Sequence, residues 1–290
     1  MSADGGGVWW PAPAKLNLFL HVVGRQPDGY HSLQTAFQLL DWCDQLQIEP
    51  TPGEAIVRIA GPTGIAPEDD LCVRAARLLQ QASGCRQGAR IALRKRIPTG
   101  GGLGGGSSDA ATVLCVLDRL WQLNLGVDRL AALGLQLGAD VPLFVRGESA
   151  WGEGRGERLT PLALPERWFV VIHPKVSVST AEVFQAPELT RNSPLITIRA
   201  FSPGPGLDAG TRNDCEAVVR ARVPQVAEAL DWLAGFAPSR LTGTGACVFA
   251  AFDNVAAAER VAGRVPDCWT SRVAKGLQRS PLHSQLATMF

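Results

Sequence analysis

Apolar and polar positions alternate over residues 15–23 (KLNLFLHVV) and then run apolar, the period-two signature of a strand. A turn rich in Pro, Asp and Gly follows at 24–29 (GRQPDG). Residues 30–40 fit a strand or a helix, and their spacing does not choose between the two. Ile48 and residues 56–59 predict further strands around a Thr51-Pro52-Gly53 turn. At 71–81 (LCVRAARLLQQ) the period becomes helical, with Leu71, Ala75, Leu78 and Leu79 on one face. Residues 90–97 alternate basic and apolar, as a half-exposed strand does. A helix opened by Ser107 is predicted over 107–121. Another is predicted over 128–138, with Gly138 suited to the left-handed position past its end.

A Gly- and Glu-rich stretch at 147–156 separates these elements from a second set of strands beginning at 168–172. Residues 202–210 (SPGPGLDAG) read as a loop, 213–233 as mostly helical and 247–252 as an apolar strand. No internal repeat is visible. The pattern predicts an α/β protein of two α+β domains joined between Gly156 and Trp168, with residues 1–160 and 161–290 as the two units.

Composition narrows the chemistry. A chain of 290 residues, 46% of them hydrophobic, is long enough for a full core, and a net charge of +1 gives no overall field toward nucleic acid or membrane. Any phosphate site is therefore local. Seven cysteines without a CxxC pair and four histidines without ligand spacing argue against a disulfide framework and a protein-held metal. No apolar run spans a bilayer, and the N-terminal MSADGGGVWWPAPAK lacks a secretory pattern. These features predict a cytoplasmic protein with neither nucleic acid nor membrane as partner; the chain is expected to act on a small molecule, as a monomer or weak homodimer.

The most informative segment is PTGGGLGGGSSDAA: Pro98, Thr99, Gly100, Gly101, Gly102, Leu103, Gly104, Gly105, Gly106, Ser107 and Ser108 leading into Asp109. Six glycines cost conformational entropy on ordering, and close approach of main-chain N–H groups to an anion is a usual return. A loop that runs into a helix start adds unpaired N–H groups and the positive end of the helix dipole. Ser107 and Ser108 can cap that helix or offer hydroxyls to phosphate or its magnesium. Arg90, Arg94, Lys95 and Arg96 add local positive charge. The P-loop pattern is absent, because no lysine follows the glycines. A GxGxxG at Gly100, Gly102 and Gly105 lacks the second strand and acid of a dinucleotide fold, since a second helix follows instead. A flexible linker is the remaining alternative, and a strand before and a helix after speak against it.

This segment resembles the phosphate-binding motif of the GHMP kinase superfamily, and its doubled GGGLGGGSS form resembles the diphosphocytidyl-methylerythritol kinase branch. The resemblance runs from Pro11 to about Pro281. It implies the GHMP kinase fold, with an N-terminal ribosomal-protein-like ATP-binding domain and a C-terminal ferredoxin-like domain. It also implies ATP with Mg2+ and transfer of the γ-phosphate to the 2-hydroxyl of a diphosphocytidyl polyol. Lys15 in PAPAKLNL and Asp140 in LGADVP match the family's catalytic pair, Asp140 as base and Lys15 holding it ionised. Taken singly, each also reads as a lysine snorkelling from a strand end and a turn aspartate. Asn17, two residues on from Lys15, shares its strand face and is expected to contact the same end of the substrate.

The segment Asp28-Gly-Tyr30-His31 matches the family's cytosine-holding DGYH, with Tyr30 stacking and His31 at the base edge. Phe184 and Thr180 in STAEVF match a second stacking ring and a nearby hydroxyl, although Phe184 also suits plain core. Residues 241–249 (LTGTGACVF) read either as a tight turn or as the superfamily's second glycine loop. Cys247 within them reads as packing. Asp70 stands where the family has an asparagine near adenine, and Arg155 where a smaller residue is usual near the substrate. Homoserine or mevalonate kinases share the loop without needing the Tyr30–His31 pair. A nucleotide-binding protein without catalysis would have little use for Lys15 and Asp140 together.

Overall fold

A computed structural model describes residues 7–27, 29–201 and 210–290. Residues 202–209 of the predicted 202–210 loop, and Asp28, lie outside the described residues. Two long strands dominate the first half, β1 (Trp9–Arg25) and β2 (His31–Thr51), paired antiparallel. The undecided 30–40 segment is thus strand. Its apolar residues continue into a run buried on both faces, so neither the helical nor the alternating period stands out. Next come β3 (Ile56–Ala60), α1 (Leu71–Ser83), β4 (Gly88–Arg94), α2 (Gly105–Leu120), α3 (Val127–Leu135), α4 (Val141–Arg146), β5 (Ala150–Gly154) and β6 (Arg158–Pro161). The second half holds β7 (Trp168–His173), α5 (Thr180–Gln185), α6 (Glu216–Arg222), α7 (Pro224–Ala234), β8 (Ser239–Leu241), β9 (Val248–Phe252), α8 (Val255–Ala262), β10 (Thr270–Leu277) and α9 (Pro281–Met289).

The strands run in the order β3-β4-β2-β10-β7-β9-β8, with β1 and β5 also on β2. β10 is the link between halves. Gly276 and Leu277 pair with Leu40 and Leu39 of β2, while Thr270 to Lys275 pair with β7. One core lies between β2, β4 and helices α1, α2, α4 and α9, a second among β7, β9 and helices α6, α7 and α8. A third, containing Leu16, Phe19, Trp151, Phe169 and Phe249, lies between them. β1 feeds all three: Trp10 and Ala12 into the first, Leu20 and Val22 into the second, Ala14 and Leu16 into the third. The middle of β1 therefore lies at the seam, and burial there is worth about 25 cal/mol per Å2 of apolar surface.

Several sequence expectations shift. α2 opens at Gly105, two residues before Ser107, and its cap is Gly104 at φ 70°, so neither Ser107 nor Ser108 caps it. α3 ends at Leu135 with a right-handed cap at Gln136, and Gly138 is absent from the left-handed glycines. The chain turns there into α4, a six-residue helix that the sequence pattern did not show. α1 buries Cys72, Val73, Ala75, Ala76 and Leu79, one position round from the predicted face. The predicted 213–233 helix is two helices, broken at Val223 and restarted by Pro224 at its first turn.

Candidate active site

Two register shifts in the β1–β2 pairing, between Pro13 and Lys15 and between Asn17 and Leu20, bracket the segment that carries Lys15 and Asn17. Such irregularities re-aim side chains. Lys15 and Asn17 are each only 3% exposed, and the Lys15 ammonium donates to Asn17 Oδ1 at 2.5 Å. Asn17 in turn donates from Nδ2 to Thr35 Oγ1 at 2.9 Å, and its backbone N–H donates to Thr242 Oγ1 at 3.0 Å. The lysine is thus a fixed charge on a satisfied network. It does not snorkel.

Its second partner is Asp140, whose Oδ2 lies 3.2 Å from Lys15 Nζ. Asp140 occupies the cap position of α4 but makes no side-chain hydrogen bond to that helix. A turn aspartate ordinarily spends its carboxylate on nearby main chain. Here the carboxylate faces a cavity of about 260 Å3 shared with Lys15, Asn17, Gly102, Gly104 and Ser107.

The glycine loop is pinned from both sides. Leu103 O accepts from Lys15 N at 3.0 Å, while Gly100 O and Gly101 O accept from Ala246 N and Cys247 N at 3.2 and 3.1 Å. The 241–249 segment therefore lies directly on the first loop, with Thr242 Oγ1 bonded to Gly102 O at 3.3 Å. Packing also requires several of these glycines. A Cβ on Gly102 would meet Thr242 O at 2.2 Å, one on Gly101 would meet Cys247 Sγ at 2.6 Å, and one on Gly104 would meet Phe144 at 2.9 Å. Cys247 is fully buried, with its thiol pushed far up by burial, which fits packing and excludes a nucleophile.

Below the loop the Lys95 ammonium is spent on two carboxylates. Lys95 Nζ lies 2.5 Å from Asp44 Oδ2 and 2.9 Å from Asp109 Oδ2. Burial pulls the Lys95 pKa down, but Asp109 and Asp44 outweigh it and the net shift is upward. Burial likewise pushes the Asp109 carboxyl up to about 7 against the pull of Lys95. The Arg94 guanidinium lies 3.8 Å over the Trp9 ring, and Arg96 donates to Gln45. Asp44 and Asp109 carried no local signal, because their partner is reached only through the fold.

The Asp70 carboxylate is engaged within the fold. Its Oδ1 caps α1 by accepting from Cys72 N and Val73 N at 2.9 and 3.2 Å, and its Oδ2 lies 2.5 Å from Arg58 Nε. Both oxygens are engaged and the residue is 5% exposed. Pro98 borders a separate cleft with Trp42 and Arg272, while Thr99, Gly100 and Gly106 are exposed along the loop. Gly105 is buried beneath it, and Ser108 is fully buried with an Oγ that has no partner.

The proposed base-recognition residues do come together. A second cavity of about 670 Å3 is lined by Tyr30, His31, Thr180, Phe184, Arg155 and Arg191, among others. His31 and Phe184 are stacked with ring centres 5.2 Å apart. Arg191 Nε donates to His31 Nε2 at 3.0 Å, which fixes the neutral ring with its proton on Nδ1. Burial, then Arg191 and Arg25, hold the His31 pKa below its ordinary value. Arg191, missed in the sequence, also donates to the carbonyls of Leu189, Phe184 and Ala186. The Thr180 and Thr244 hydroxyls lie 2.8 Å apart, tying α5 to the second glycine loop.

Comparison with known proteins agrees with this geometry. Residues 70–148 match the family described as GHMP kinases N terminal domain, and residues 198–270 match GHMP kinases C terminal. The 4-diphosphocytidyl-2-C-methyl-D-erythritol kinase of Alkalilimnicola ehrlichii is 57% identical over 277 residues, covering 96% of this chain and 94% of that one. The enzyme of the same name from Halorhodospira halophila is 55% identical, covering 96% of each. A crystal structure of 4-(cytidine 5'-diphospho)-2C-methyl-D-erythritol kinase superposes with a TM-score of 0.80 at 34% identity, covering 93% of this chain and 99% of that one. By its two halves, and by identity along nearly its whole length, the chain belongs to the 4-diphosphocytidyl-2-C-methyl-D-erythritol kinase family of the GHMP kinases.

Proposed function

We propose that this chain transfers the γ-phosphate of ATP to the 2-hydroxyl of 4-diphosphocytidyl-2-C-methyl-D-erythritol, giving ADP and the 2-phosphate on the non-mevalonate route to isoprenoid precursors. One observation carries the chemistry: a carboxylate not spent on its own helix, 3.2 Å from a buried ammonium, in a cavity shared with the glycine loop. Asp140 accepts the proton of the attacking hydroxyl. Lys15 holds that carboxylate in place and sets positive charge beside the transfer path. Asn17, fixed by Thr35 and Thr242, keeps the lysine from swinging away.

The residues present suit a nucleotide tail. The first amides of α2 lack acceptors within the helix, and the exposed Gly106 leaves room for phosphate to approach them. Bound ATP supplies the phosphoryl group. Ser107, which lines the cavity shared with Lys15 and Asp140, is the hydroxyl best placed for a phosphate oxygen or Mg2+. Mg2+ would accompany the nucleotide, held mainly through phosphates and water. Tyr30, His31 and Phe184 take the cytosine in the larger cavity, leaving the polyol to reach Asp140 in the smaller one that adjoins it. Residues 1–160 and 161–290 act as the ATP-binding and C-terminal halves, in the cytoplasm, as a monomer or weak homodimer.

The test is ADP release with and without the diphosphocytidyl alcohol, using homoserine and mevalonate as controls. Release dependent on the diphosphocytidyl alcohol alone is expected. Equal stimulation by either control overturns the substrate assignment.

A further inference from the structure

The two cavities share Leu33, Ala139, Arg155, Thr180 and Phe184, and among these Arg155 is the one charged residue. If cytosine lies in the larger cavity and the reacting hydroxyl at Asp140, whatever joins them passes this junction. In the proposed substrate that joint is a diphosphate. A group so charged requires a cationic or strong donor partner once it leaves bulk water. We infer that Arg155 is the diphosphate ligand, a specificity-determining residue that makes the site select a cytidine bearing phosphates over cytidine itself. The inference rests on the substrate proposed above.

The other cations nearby each border only one of the two cavities, Lys15 the smaller and Arg25 and Arg191 the larger. Lys15 is bonded to Asn17 and Asp140. Arg191 donates to His31 and to three carbonyls. Arg25 borders only the larger cavity, with its Nε on Gly29 O at 3.3 Å. Arg155 is held where the junction needs it. It lies in the turn between β5 and β6, where Gly154 and Gly156 adopt φ of 74° and 106°, and its backbone N–H donates to Glu157 at 2.5 Å. The guanidinium lies 3.6 Å over the Tyr30 ring. Stacking fixes the plane of an arginine while its edge N–H groups can still meet phosphate oxygens, a geometry that lysine lacks.

The experiment compares binding of CDP and of cytidine to the full chain and to R155A and R155K, with a non-hydrolysable ATP analogue present to fill the nucleotide site. For R155A, CDP affinity is expected to fall about 10- to 100-fold, the range for a lost hydrogen bond to a charged group. Cytidine affinity should change by less than about threefold, within the scatter of an interaction not made. R155K should recover part of the CDP affinity. In turnover the loss should fall on KM for the diphosphocytidyl alcohol, with KM for ATP unmoved. Equal weakening of cytidine and CDP would show that Arg155 only props Tyr30, and unchanged CDP binding would show that the phosphates pass elsewhere; either overturns the inference. Should R155A not fold, R155Q takes its place in the same comparison. Because CDP and cytidine binding needs no turnover, a chain that ignores the diphosphocytidyl alcohol yet discriminates the two would refute the substrate and leave the arginine's role standing.

Discussion

Replacing Asp140 with asparagine separates the chemistry of the site from its architecture. The amide keeps the shape and an oxygen for the Lys15 ammonium, 3.2 Å away in the native pair, but it cannot take a proton. Loss of a general base costs about 10²- to 10⁴-fold in turnover, or about 3–5 kcal/mol of barrier. Stability should move much less. Stripping one partner from a fully buried ion pair costs about 3–5 kcal/mol. Here the Asp140 side chain is 30% exposed and Lys15 retains Asn17 Oδ1 at 2.5 Å. The cost should therefore be nearer about 1 kcal/mol, as for a solvent-screened pair. The assay is ADP release at saturating substrates, alongside nucleotide binding and thermal melting on the same preparation. The expected result is turnover down at least about a hundredfold, with ATP affinity held by the intact loop. The double variant K15M/D140N should regain the stability lost by D140N and none of the turnover, because the two residues act as one unit. D140N turnover within about tenfold of the parent, too small a loss for a missing base, would refute the assignment.

Two further outcomes can be stated briefly. Tyr30→Ala should weaken the diphosphocytidyl substrate by about 1–3 kcal/mol of stacking, and combined with R155A it should cost less than the sum because the two side chains touch; unchanged substrate KM would remove Tyr30 from the site. His21, His31, His173 and His283 all have their pKa lowered, burial being the largest cause in each. Below about pH 6.5 the unfolded chain takes up protons that the fold resists, so melting temperature should drop as pH falls through that region. Asp109, raised to about 7, works in the opposite sense, a single group beside the four histidines. A flat or rising melting temperature between pH 7 and 5.5 (roughly the window set by the free histidine pKa) would refute that balance.

What the sequence made legible was whatever a short window contains. The glycine run, the strand bearing Lys15 and Asn17, and the DGYH segment each carry their meaning within a few residues. Asp70 was also locally readable, as an N-cap before Leu71. What stayed hidden depends on long-range assembly. Asp44 and Asp109 meet Lys95 from β2 and α2, and Arg191 reaches His31 across 160 positions of sequence. β5 and β6 escaped because WGEGRGE is too glycine-rich to look like a strand, yet its first four residues, with Ala150 before them, pair with Leu33 to Phe37 of β2. α4 is too short at six residues for any period to show. The Ser107 and Ser108 caps failed because glycine in the left-handed region can open the helix one turn earlier.

The glycine loop was read as serving an anion, and the structure shows that its glycines do not all serve one purpose. Gly102, at φ 75°, leaves no room for a methyl group, since a Cβ would sit 2.2 Å from the Thr242 carbonyl. Gly106 is different: it is helical and exposed, and a Cβ there would meet only the flexible tip of Leu71, at 3.2 Å. Alanine in place of a helical glycine is intrinsically favourable by about 1 kcal/mol. Packing and propensity alone would thus choose alanine at Gly106, and the retained glycine is left to be explained by what approaches from outside. Gly102→Ala should lower the melting temperature and disturb both glycine loops together. Gly106→Ala should melt at or above the parent temperature, yet lose ATP affinity by at least about tenfold, as the added methyl holds phosphate off the amides of α2. If Gly106→Ala binds ATP as tightly as the parent chain, phosphate does not approach the helix at that turn, and the place of the nucleotide tail must be sought elsewhere along the loop.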